Sequence, residues 1–555
     1  MANRRTPKNE AEAGLTKPET SRRQFFSGIA GAGTVALGAG SLALPTPGLA
    51  LGQDDQRRQE TYSLRSRMAE YYRDMPGAAH PTNGDEERYG NKINAFSKTL
   101  LHNPLGEVSR DSFSSMVRAL ESGSNSDFDA ILRGGNVRLK NPQAAYTRQM
   151  MGADASQITL PAPPAFSSAR QAANIIENYW MALARDIPYN EYASNSIIAQ
   201  ACDDLSRLSD YAGPKENGRV TPNTIFRGNT PGDLEGPYVS QFLLQNAPVG
   251  SQILEQKQRS LLPGVDFMTD VPAWLTIQLG IGKGAGVRLE DTARYMRNGR
   301  DMANFVHVDQ AYSPYYPAAW ILLHLGDVCY SEDNPYVWSK SQDAFATFGP
   351  PDALEFTARA AKPGYNAAWY QKWMVHRHAR PEVFAGRIHH HLAKLALYPI
   401  HDEALHSKAL ELTAAKYGTF LLPQAYTEGS PAHSSYPAGH ATVAGASVTM
   451  LKAFFRESAE LPNPVIASSD GTSLIPYSGP PLTVGNELNK LAYNVAMGRN
   501  FAGIHYRYDA VDSIRLGEEV AINLLRDMTS TYAEFFGGFS FTRFDGSRVT
   551  ICPYC

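Results

Sequence analysis

Apolar residues that return every three or four positions dominate this chain and limit its fold more than any other feature. The clearest run covers 440–455, where Val443, Ala444, Ser447, Val448, Leu451, Phe454 and Phe455 fall on one helix face. Similar spacing predicts helices over 169–185, 189–208, 289–304 and 386–397, and over 505–528. Strand-like alternation is sparse; the best case is 539–544 with 549–551 around Asp545-Gly546, which predicts a late hairpin. No internal repeat is visible. With 555 residues, 43% of them hydrophobic, a sizeable core is possible. The pattern predicts an all-α helical bundle with a small C-terminal β-hairpin.

The N-terminus reads Ser21-Arg22-Arg23-Gln24-Phe25-Phe26, then a Gly- and Ala-rich uncharged stretch, then small residues at Gly48-Leu49-Ala50. Twin arginines before a moderately apolar segment form a Tat-type export signal, so a periplasmic or secreted location is expected. Glycines weaken this segment as a helix, and no later stretch is apolar for long enough to span a membrane, so the mature chain is not expected to cross one. The chain divides into a signal at 1–50, an arm with connectors at 51–168, and a helical domain at 169–555. A formal net charge of -3 gives no global basic field and argues against nucleic acid as a partner; an anion site has to be local. Of the cysteines at 202, 329, 552 and 555, Cys552 and Cys555 are spaced like a redox pair, but the chain ends at the second. A structural bridge is the better reading.

Three distant segments gather cations and imidazoles beside Pro and Gly. In 369–382, Trp369, Lys372 and Arg380 precede Pro381, which disfavours helix at Arg380, so a helix carrying Lys372 should end there and turn Arg380 back toward the same pocket. In 433–440, His433 leads through Pro437 and Gly439 to His440 at the start of an apolar helix. Free backbone N–H groups and the positive helix end make an oxyanion cradle there, with His440 as a candidate acid or base. In 498–509, Arg499 precedes His505 and Asp509, which share a face on a helix beginning near Gly503. Each segment alone is commonplace; their order and spacing carry the signal. The consecutive His389, His390 and His391 diverge by about 100° each on a helix and cannot converge on one ion.

Lysine, arginine-proline, Pro-x-Gly-His and Arg-x5-His-x3-Asp, in this order, resemble the signature of the type 2 phosphatidic acid phosphatase and vanadium haloperoxidase superfamily. The Lys372 to Arg380 interval, His433, and the stretches 226–242 and 539–551 resemble the bromoperoxidase branch. The resemblance implies two four-helix bundles, a vanadate cofactor and a homo-oligomer. It implies that His505 binds vanadium, and that Lys372, Arg380, Arg499 and the Gly439 N–H neutralise the vanadate oxygens. His440 manages protons. Trp369 and His433 would line a halide pocket, and Asp309 and Asp509 would support the site. The implied activity oxidises bromide or iodide with hydrogen peroxide to a hypohalous species that halogenates a small organic acceptor. One departure stands out: the usual serine before Gly-His is Ala438 here, which removes a hydroxyl donor. An exported acid phosphatase using the same pocket is the alternative, and a non-catalytic oxyanion binder a third reading.

Overall fold

In the computed structural model, residues 47–282 and 287–552 are described. The helices that frame the site are, in chain order, α1 (Ala169–Ala184), α2 (Gly299–Phe305), α3 (Pro350–Arg359), α4 (Ala361–Tyr370), α5 (Pro381–Leu392), α6 (Gly439–Phe454), α7 (Val484–Phe501) and α8 (Arg507–Thr529). A hairpin of β1 (Phe539–Thr542) and β2 (Arg548–Ile551) follows, with Phe539 opposite Ile551. Two further short antiparallel pairs, Ala247–Val249 with Gln252–Leu254 and Val465–Ala467 with Leu474–Pro476, lie in connectors. The fold is all-α.

The periodic run at 440–455 becomes α6, the hub against which α3, α4, α7 and α8 pack. Every residue of α6 is buried except His440. Each Val, Leu or Phe so buried contributes about 1.5–3 kcal/mol. Two glycines let α6 and α8 touch backbone to backbone: a Cβ on Gly445 would sit 1.9 Å from the Ile514 carbonyl oxygen, and one on Gly517 would sit 1.9 Å from that of Thr442. That crossing brings the N-terminus of α6 beside the N-terminus of α8, where the site lies.

The chain divides into two units, residues 1–63 and 64–555. The helix Pro47–Asp74 begins in the first unit, whose residues before 47, with the twin arginines, lie outside the described part. In the second unit, residues of 95–145 form a satellite core around Trp373, including Phe96, Leu100, Phe113 and Met116. Phe96 meets the Trp373 ring edge to face at 5.5 Å. This packing anchors the neighbour of Lys372. Among the described residues no helix is long and apolar enough to cross a membrane. Cys202 and Cys329 are buried free thiols, whereas Cys552 is disulfide-bonded.

Several element boundaries differ from the sequence expectation. Of 289–304 only the end is helical, because Asn298 caps α2 and the preceding residues pair with 258–261 through Gln258–Arg294 and Leu261–Leu289 bridges. The 189–208 run breaks into one turn and the helix Ser196–Arg207, whose cap Asn195 accepts from Ile197 N–H at 2.9 Å. Instead of 386–397, α5 starts at Pro381, which suits a first helical position, and stops at Leu392.

Candidate active site

Arg499 ends α7 and Asp509 opens α8; between them a tight connection carries His505. Gly503 adopts φ 87°, and a Cβ there would meet the Gln424 amide at 2.7 Å, so glycine is required at this turn. His505 therefore precedes α8 rather than sharing its face with Asp509. The expected pairing still forms, because the carboxylate reaches back across the helix start. Asp509 accepts from the Tyr506 N–H at 3.2 Å and from His505 Nδ1 at 2.6 Å, and also from the Ser435 hydroxyl. Burial pushes the Asp509 carboxyl up, and the Ser435 hydrogen bond and the Lys372 charge pull it back. His505 Nε2 faces the opposite way, 2.8 Å from Arg380 Nη1. Because guanidinium only donates, Nε2 is the lone-pair nitrogen and Nδ1 holds the proton. Burial, then Arg380, Lys372 and Arg499, hold this imidazole well below its ordinary pKa, so it is neutral.

Lys372 is on a π-helical segment, Gln371–His376, that continues α4 and ends at Arg377 in the left-handed region. The helix carrying Lys372 thus stops short of Arg380, which becomes the N-cap of α5. Both cations still turn inward. Lys372 Nζ donates to the carbonyls of Ser434 and Ser435 at 2.5 and 2.8 Å. Burial first, then Arg380, pushes its pKa well below the usual lysine value. Arg380 donates to the carbonyls of His433 and Ile504 at 3.1 and 2.8 Å, and to His433 Nδ1 at 3.0 Å. Arg499 donates to the Val306 carbonyl, lies 5.6 Å from the Tyr426 ring centre, and leaves its buried Nε without a partner.

The α6 N-terminus closes the cluster. Ala438 N–H is satisfied by Ser513 Oγ at 2.7 Å, while Gly439 begins the helix with no side-chain cap. His440 Nε2 is 2.8 Å from Asp309 Oδ1. Burial and then Arg499 lower the His440 pKa against the opposing pull of Asp309; the carboxyl itself is pushed up by burial but held low overall by His440. The pair is a neutral imidazole beside a carboxylate. Trp369 stands 5.0 Å from His433, ring centre to ring centre.

The structure thus brings together Lys372, Arg380, Gly439, His440, Arg499, His505, Asp509, Asp309, His433 and Trp369. His389, His390 and His391 stay apart from it, with His389 accepting from Phe420 N–H and His391 from Tyr398 N–H. Sequence reasoning missed the carbonyls of Ser434, Ser435, Val306 and Ile504 that orient the cations, because any residue type supplies a carbonyl. It also missed Tyr426 and Tyr365, which no motif spacing marks.

These donors fit a tetrahedral oxyanion. Lys372, Arg380 and Arg499 are at most 6% exposed, and their direct partners are carbonyl oxygens and imidazole nitrogens, not carboxylates. The Asp509 carboxylate nearby offsets part of the charge of these three buried cations, and since buried charge is costly a bound anion would offset more of it. Among the described residues no group of three or more His, Cys, Asp or Glu could hold a metal ion.

Residues 356–534 match the family model described as the VCPO second helical-bundle domain. The chain is 34% identical to a vanadium-dependent bromoperoxidase of Ascophyllum nodosum, over 91% of this chain and 93% of that protein. This chain belongs to the vanadium-dependent bromoperoxidase family. A bromoperoxidase of that family from Corallina pilulifera is 33% identical over 84% of this chain and 94% of its own. The homohexameric structure of the second vanadate-dependent bromoperoxidase of Ascophyllum nodosum superposes with TM-score 0.87, at 29% identity and 95% coverage of both chains.

Proposed function

We propose that this protein is a vanadium-dependent haloperoxidase that oxidises bromide or iodide with hydrogen peroxide, releasing a hypohalous species that halogenates small organic acceptors. The carrying observation is the buried set of Lys372, Arg380 and Arg499, hydrogen-bonded to no carboxylate, with Arg380 at the lone-pair nitrogen of His505. Vanadate, when bound, supplies a Lewis acid for peroxide without changing oxidation state. Lys372, Arg380, Arg499 and the Gly439 N–H bind and neutralise its oxygens. Asp509 fixes the His505 tautomer so that Nε2 stays available. With Nε2 turned to Asp309, His440 has Nδ1 free to take a proton from hydrogen peroxide and return it later. His433 and Trp369 offer an imidazole edge and an aromatic wall for the halide.

Purified apo-protein reconstituted with vanadate should brominate an activated phenol in the presence of hydrogen peroxide, and phosphate-loaded protein should not. Phosphomonoester hydrolysis without bromination would instead identify an acid phosphatase. Tight anion binding with neither activity would identify a binding protein.

Export through the twin-arginine pathway to the periplasm or outside the cell belongs to the same reading, supported by Arg22-Arg23 and the uncharged segment after them. Replacing both with lysine should retain the protein in the cytoplasm of a Tat-competent bacterium. A homo-oligomer is also proposed, supported by the homohexameric relative that superposes along nearly the whole chain; light scattering measures it directly.

A further inference from the structure

Ala438 leaves the oxyanion cradle one hydroxyl short of the family pattern, and the structure puts another hydroxyl beside it. Tyr365 lies on α4 one turn before Trp369, and the two rings meet edge to face at 5.6 Å. A Cβ built on Gly439 would find Trp369 Cζ3 at 3.2 Å and Tyr365 Cε1 at 3.4 Å. Cε1 neighbours the carbon that bears the hydroxyl. The edge of the phenol next to its hydroxyl-bearing carbon therefore packs at the first residue of α6, which has no side-chain cap. Among the described residues the hydroxyl has no hydrogen-bond partner. Ser435, the nearer serine in sequence, cannot take this role, because its hydroxyl is committed to Asp509. Burial pushes the phenol up to about 12, Asp309 adding to the rise and Arg499 opposing it. It is a neutral donor at any working pH, within electrostatic reach of two site groups.

We propose that the Tyr365 hydroxyl donates a hydrogen bond to the bound oxyanion, standing in for the hydroxyl that Ala438 lacks. This rests on the vanadate reading above. A phenol placed there reaches the anion from α4, outside the motif, so the cradle keeps its donor count with a different residue. The ring also covers Gly439 beside Trp369, which limits water at the helix end.

The test is calorimetric titration of the apo-protein with orthovanadate and, separately, inorganic phosphate, for wild type, Tyr365→Phe, Ala438→Ser and the double variant. Phenylalanine keeps the ring packing and removes only the oxygen. Vanadate should bind Tyr365→Phe roughly tenfold more weakly, the loss expected for one hydrogen bond to a charged acceptor. Adding Ala438→Ser to that variant should restore most of the affinity. Equal affinity of wild type and Tyr365→Phe overturns the proposal, as does a loss that Ala438→Ser leaves unrepaired, which would assign the effect to packing. Unchanged affinity with a shifted pH profile would instead make Tyr365 a partner of Asp309, whose Oδ2 is buried without one. Wild type that binds neither anion overturns the vanadate reading together with this one.

Discussion

His505 is oriented from both sides: Asp509 accepts a hydrogen bond from Nδ1–H and Arg380 donates to Nε2. Asp509→Asn leaves an amide that can present its NH2 to Nδ1 and favour the wrong tautomer. Vanadate affinity should fall about 10–100-fold, as for other carboxylates behind a metal-binding histidine, and equilibrium dialysis would measure it. Lys372 differs in kind. Its charge is buried and opposed by neighbouring cations, so Lys372→Met removes electrostatic cost from the empty protein while removing affinity for the anion. The apo-variant should be at least as resistant to urea as wild type, yet bind phosphate or vanadate more than tenfold more weakly. A variant that lost stability and kept affinity would contradict this account of the cavity. Spacing in the sequence pointed to these residues because motif order survives in one dimension. The carbonyl oxygens that aim them did not stand out, since every residue carries one.

At the scale of elements, the site depends on how closely α6 and α8 approach. Gly517 faces the Thr442 carbonyl and Gly445 faces the Ile514 carbonyl, each with room for hydrogen only. Gly517→Ala should destabilise the protein by about 1–3 kcal/mol or more through overpacking, despite the better helix propensity of alanine. The same change should lower vanadate affinity, because separating the helices moves Gly439 from Asp509. Urea unfolding and anion titration check the two effects; a stabilised variant would show that the crossing can relax. The helix α6 itself was legible from its apolar period. The glycine contact was not, since a glycine on a helix carries no mark of what lies opposite. The shift of the α8 start from 503 to 507 has a similar origin: Gly503 in the left-handed region and the Asp509 bond to Tyr506 N–H place the boundary after His505.

For the whole molecule, buried histidines contribute one part of the acid response, and buried carboxyls raised by burial, Asp233 to about 7 and Asp352 and Asp512 to about 6, oppose it. Burial holds His102 and His390 at about 4, and His376 and His378 at about 3, each far below the ordinary 6.5. The unfolded chain binds these protons near pH 6.5 and the folded chain does not, so the histidines' contribution to stability rises with pH through this window. It is fully present above 6.5 and lost as pH falls toward 3–4. The slope is at most about 1.4 kcal/mol per pH unit for each histidine. His390 has no partner at either ring nitrogen, so His390→Leu should flatten the dependence of the urea midpoint between pH 6.5 and 4 without loss of stability at pH 8. An unchanged slope would show that His390 gains solvent in the native state.

By itself the sequence determined the helical class, through the period of its apolar residues, and singled out the side chains that the structure gathers at one place, through motifs whose order needs no coordinates. Only tertiary structure decided how these meet: the glycine crossing that brings two helix ends together, the π turn that separates Lys372 from Arg380, and the aromatic edge of Tyr365 over Gly439. The physical reason is that periodicity and motif spacing are local along the chain, whereas charge, burial and hydrogen-bond partners are set by residues hundreds of positions apart.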